Sequence, residues 1–131
     1  MRREPRITPI VPAGLAVPRR CTAADLHIDT SRFHQQFAAD VPEATPAVMA
    51  ATQGPVADAA LTEGASVPAW RDIPSWVLVA AEDRDIPAQV QISRAGRAQA
   101  TVVTVGASHT LAVSRPGDVA RLIDEAVRAT C

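Results

Sequence analysis

A chain of 131 residues with thirteen basic and fourteen acidic side chains carries a formal charge of −1, which leaves no electrostatic footprint for nucleic acid or for an anionic membrane surface. The length suits one domain with a core of its own, and no apolar run approaches the length of a membrane span. A small, weakly charged molecule is the expected partner, and no cofactor is indicated.

Residues 1–24 hold four prolines, two arginine-rich clusters and no hydrophobic period, and read as an extended or disordered lead-in. Their prolines, and the lack of a small-residue cleavage site, argue against a secretory signal. Cys21 and Cys131 lie near opposite ends without CxxC or histidine spacing, so neither a zinc site nor a disulfide framework is expected. The pair suits a reducing, cytoplasmic setting.

Residues 25–65 read as a helical, cap-like segment. Thr30 or Ser31 can cap a helix that places Phe33, Phe37 and Ala38 on one face, fading by Asp40-Val-Pro42. A second helix is expected from about Glu43 to Gln53, with Pro46 tolerable in its first turn and Gly54-Pro55 ending it. A third, short helix fits Val56 to Thr62. A loop through Gly64-Ala-Ser-Val-Pro68 follows.

Residues 66–131 change character. Ser75 to Ala81 is a continuous apolar run, which suits a parallel strand buried on both faces. A helix opened by Pro87, with Val90 and Ile92 inside it, is expected to end at Gly96. Thr101 to Val105 is a second, β-branched strand, completing a strand, helix, strand unit. Ser114-Arg-Pro-Gly then opens a helix in which Val119, Leu122, Ile123, Ala126 and Val127 share one face. The class is α/β with a parallel strand pair.

Functional groups in α/β folds gather at the carboxyl ends of parallel strands. Asp83 and Asp85 follow the first strand, and His109 follows the second after Gly106-Ala-Ser. A carboxylate at that place can orient an imidazole by accepting its Nδ1–H. The plainer alternative is that both aspartates cap the Pro87 helix or face water, and that His109 is an ordinary surface residue. His27, His34 and His109 are too dispersed to suggest a metal site, and His34 is more simply a partly buried structural residue.

These residues carry a family resemblance. Ile73-Pro-Ser-Trp-Val-Leu-Val-Ala-Ala-Glu-Asp-Arg-Asp-Ile-Pro87, Val105-Gly-Ala-Ser-His109 and Val113-Ser-Arg-Pro116 resemble the carboxy-terminal region of bacterial α/β-hydrolase-fold proteins related to small esterases. Phe33-His-Gln-Gln-Phe-Ala-Ala-Asp40 and Gln53-Gly-Pro-Val56 resemble the helical cap segment of the same group. The resemblance implies a partial α/β-hydrolase fold: the cap over 25–65, then a βαβα part of the core over 66–131. It implies ester or amide hydrolysis as the ancestral chemistry. Asp83 matches the acid of the triad in the pattern Glu-Asp-x-x-Ile-Pro, Asp85 is a substitute candidate, and His109 matches the general base.

A nucleophile elbow needs glycines two residues either side of its serine, and G-x-S-x-G occurs nowhere in the 131 residues. Ser66 has only the first glycine, and Ser108 lacks the second. Cys21, among prolines and arginines, has no activating neighbour. Two parallel strands alone would also leave open edges. The expected partners are therefore a small ester or amide, and a complementing hydrolase half or a second copy of the chain; the cap folding back is the alternative cover. Three readings follow: a hydrolase segment inactive without a serine-bearing half, a non-catalytic binding module, and a degenerate fragment.

Overall fold

The structure, a computed structural model, describes residues 11–12, 25–64 and 66–131. The lead-in expected over 1–24 lies outside the described residues apart from Val11–Pro12, the strand β1. It pairs antiparallel with β2, Asp25–His27, in the register Val11 to His27.

The first helix of the segment expected as a cap over residues 25–65 is α1, Phe33–Phe37. Neither Thr30 nor Ser31 caps it, since Arg32 occupies the cap position and Ser31 instead turns both its N–H and its hydroxyl onto the Asp29 carboxylate. The expected face forms nonetheless. Phe33 and Ala38 are buried with Val41 and Ala50, and Ile28, Phe37 and Met49 pack against them. Fully burying a phenylalanine such as Phe33 is worth about 2 to 3 kcal/mol, so this cluster holds the cap together. The second helix, α2, spans Ala44–Thr52, with Pro46 buried in its first turn.

The third expected helix is corrected at its start. Val56–Ala57 form β3, which pairs antiparallel with β2 in the register Leu26 to Val56, and only Asp58–Thr62 is helical, as α3. Val56 is β-branched, which favours extended backbone. The segment is thus a small three-stranded ribbon with helices on it rather than helices alone.

The second half is built on β4, Trp76–Ala80, and β5, Thr101–Val105, paired in parallel from Trp76 opposite Thr101 to Ala80 opposite Val105. Burial on both faces is corrected to the carboxyl end of β4. Val79 and Ala80 are inaccessible, whereas Val102 and Val103 of β5 are 39% and 37% exposed. Helix α4, Ala88–Arg97, lies between the strands in sequence and packs on both. It runs through Gly96 instead of ending there; the left-handed residue that stops it is Gln99, with φ of 53°.

After β5 a short helix, α5 (Leu111–Ser114), precedes α6, Pro116–Thr130, whose first residue is the proline. Helix α6 packs against α5 and β4. Val119, Leu122 and Ala126 are half-buried, but Ile123 and Val127 on the same stripe remain 59% and 52% exposed.

Candidate active site

Both strands of the parallel pair end in loops that meet. The acid loop leaves β4 at Ala81, whose N–H is still bonded to Val105. The histidine loop leaves β5 through Gly106 and the buried Ala107, and Ala107 accepts the N–H of Glu82. These bonds extend the ladder past the strands and fix the distance between Asp83 and His109.

His109 Nδ1 lies 2.9 Å from Asp83 Oδ2. The Asp83 side chain is 4% exposed and that of His109 29%. Its other oxygen, Oδ1, accepts the N–H groups of Asp85 (2.8 Å) and Ile86 (2.9 Å), and Oδ2 also accepts from Gln91 Nε2 at 3.0 Å. An ionised carboxylate has about four lone-pair sites, and here four donors meet them. A carboxylate can only accept, so the histidine proton sits on Nδ1 and the neutral ring presents Nε2 as its acceptor. Among the described residues Nε2 has no hydrogen-bond partner. Asp83 does not cap α4, whose N-cap residue Pro87 takes no side-chain hydrogen bond; one of its oxygens closes the turn through Asp85 and Ile86 before the helix, while the other meets the ring.

The cap covers this pair. Phe37 lies against the His109 ring with centroids 4.4 Å apart. Gln36 Nε2 donates to Asp85 Oδ1 at 2.5 Å, Arg84 donates to the carbonyl of Gln35 at 2.6 Å, and the N–H of Thr110 donates to the carbonyl of Phe37 at 3.2 Å. Asp85 thus belongs to the cap contact, and the histidine is held by Asp83. His34, as expected, is half-buried and structural, with Nε2 at 2.9 Å from the carbonyl of Val41.

Ser108, whose flanking sequence lacks the second glycine of an elbow, is not placed as a nucleophile. It is buried, its hydroxyl donates to the Asp40 carboxylate, and it lies 3.2 Å from Thr110 Oγ1. That oxygen ties the histidine loop to the cap. Asp40 is shifted as a result. Desolvation raises its pKa, but the hydroxyl and N–H of Ser108 outweigh this and hold the carboxyl below its ordinary value of 3.8. Ser66 is exposed in the loop before the Trp70 turn.

A cleft of about 650 Å³ opens between cap and acid loop. Leu26, Ile28, Phe33, Met49, Val56 and Leu61 give it apolar walls, and Asp85 and His109 line it as well. Its volume is in the range of small-molecule sites. Sequence reasoning missed this cleft because two of its walls come from β2 and β3, strands too short to show a period.

Asp83, Asp85 and His109 also offer ligand atoms within 4.8 Å of one another. A cation there would have to displace the Nδ1–H and amide donors that already fill Asp83. The donor set fits a hydrogen-bonded acid and base better than a metal centre.

A family model described as Alpha/beta hydrolase family matches residues 2–122. The chain belongs to the alpha/beta hydrolase family. Its parallel strand pair with packed helices is a partial form of that fold. No curated protein matches the chain. Within the described residues no helix is long and apolar enough to cross a membrane.

Proposed function

We propose that this alpha/beta hydrolase family chain carries the acid and the general base of an ester or amide hydrolase site, Asp83 and His109, without a nucleophile elbow of its own. The observation that carries the reading is the 2.9 Å contact between His109 Nδ1 and a fully partnered Asp83. In this mechanism a serine hydroxyl delivered to Nε2 loses its proton to His109 as its oxygen attacks the carbonyl carbon. Asp83 steadies the imidazolium through Nδ1–H, and the Nε2 proton then passes to the leaving alcohol or amine. A serine-bearing segment must complete the site. The apolar walls of the cleft suit an aliphatic or aromatic acyl group rather than a charged one.

A second reading is favoured by the cleft alone: a non-catalytic module that binds an apolar small molecule under the cap. The two part on treatment of the purified chain with a fluorophosphonate probe, with and without a candidate serine-bearing polypeptide, and mapping of any label by mass spectrometry. The proposal predicts no label on this chain alone and a label on the added polypeptide that depends on His109. Label on this chain that disappears in His109→Ala would overturn the missing nucleophile. Absence of any His109-dependent label would leave the binding reading.

A further inference from the structure

The outer edge of β4 is finished by a side chain rather than by a strand. Ala81 N–H and the Ser75 carbonyl bond to β5, so alternation along a parallel strand turns the N–H and carbonyl of Ala80 to the opposite edge. Among the described residues no strand pairs there. Instead Gln91 of α4 accepts the Ala80 N–H on Oε1 at 3.1 Å, while its Nε2 lies 3.4 Å from the Ala80 carbonyl. Its carboxamide meets Ala80 as a neighbouring peptide group would.

The same Nε2 lies 2.7 Å from the carbonyl of Ile86 and 3.0 Å from Asp83 Oδ2. It has two protons, which go to the two shorter contacts and leave the 3.4 Å approach to the Ala80 carbonyl as a weak, shared one. The acceptor role of Oε1 fixes which way the amide faces. One half-buried group, on a helix packed against both strands, therefore ties together the end of β4, the end of the acid loop and the carboxylate.

Resting on the proposed acid and base roles, we infer that Gln91 is the positioning residue of the Asp83–His109 pair: it holds Oδ2 of Asp83 where it can accept the Nδ1 proton of His109. Gln91 touches neither the imidazole nor the cleft. It acts through Asp83 alone.

The test is the protonation site of the His109 ring, read by long-range ¹H–¹⁵N correlation on the labelled full chain, with far-UV circular dichroism to confirm folding. In the wild type the neutral ring is Nδ1-protonated. In Gln91→Met, which keeps side-chain length without donors, the ratio of Nδ1–H to Nε2–H falls about tenfold, the scale of one lost bond to a charged acceptor. A folded Gln91→Met variant with an unchanged ratio overturns the inference and leaves the acid–base reading standing. A wild-type ring protonated on Nε2 removes that reading and the inference with it. Should Gln91→Met not fold, the wild-type carboxamide decides. Its protons should exchange with solvent at least about tenfold more slowly than those of exposed Gln35, as protected bonds do, and equal rates would overturn the inference.

Discussion

Phe37 and His109 face each other with ring planes tilted by 35° and centroids 4.4 Å apart, so one residue of the cap helix completes the cap core and also backs the histidine. Phe37 contacts Phe33 as well, at 5.0 Å between centroids. Truncating it to alanine removes both contacts. Phe37→Ala should destabilise the chain by about 2 to 4 kcal/mol, somewhat below a fully buried phenylalanine, and should enlarge the cleft. Urea denaturation measures the first effect, and weaker binding of an apolar fluorophore the second.

Asp40 makes cap docking sensitive to acid. Its folded pKa lies below the ordinary 3.8, so its contribution to stability is complete above that unfolded value and is lost as pH falls through the lower folded one. Asp40→Asn should flatten the acid limb of a stability–pH curve below about pH 4, while Ser108→Ala should have a similar effect by removing the donor. Urea midpoints taken along the pH series measure both. An unchanged acid limb in both variants would show that the two loops are held by other contacts.

The sheet should tolerate change on one side only. Val79 is inaccessible at the end of β4, and Val79→Ala should cost about 2 kcal/mol through the cavity it leaves. Ile123→Ser and Val127→Ser, on the exposed part of α6, should stay within about 0.5 kcal/mol of wild type. Thermal unfolding of the three variants checks the contrast. A large loss at Ile123 or Val127 would mean that something covers that stripe in solution.

Asp85 should be dispensable to the histidine. Its Oδ1 accepts from Gln36, and its Oδ2 is buried with no partner among the described residues. Asp85→Asn keeps an acceptor for Gln36 and removes an unpaired charged oxygen, so stability should be unchanged or raised by up to about 1 kcal/mol. Calorimetry of this single variant measures it.

The strand ends were legible in the sequence because β4 and β5 are runs of apolar or β-branched residues and each leads into a short loop with ionisable groups, Glu82, Asp83, Arg84 and Asp85 after β4 and His109 after β5. That set Asp83 or Asp85 against His109, and only the family resemblance favoured Asp83. Gln91 was not legible: it sits between Val90 and Ile92 on a helix recognised by its apolar spacing, and a polar residue there reads as solvent-facing. The pairing of Leu26 with Val56 was hidden for another reason, since strands of two or three residues are fixed by partners far along the chain and carry no period. Gly96 misled because helix ends favour glycine, whereas here Gln99 takes the left-handed conformation. The Asp40–Ser108 contact, 68 positions apart, depends on how the cap docks and has no local signature.

The central claim is that Asp83 dictates the state of His109. The direct measurement is the His109 tautomer by ¹⁵N resonance in wild type, Asp83→Asn and Asp85→Asn. The account predicts Nδ1–H in the wild type and in Asp85→Asn. Asp83→Asn should give a shift to Nε2–H, because an asparagine amide can donate to Nδ1 where the carboxylate could only accept. An Asp83→Asn ring that keeps the wild-type tautomer, or an Asp85→Asn ring that loses it, would contradict the assignment of Asp83 as the acid.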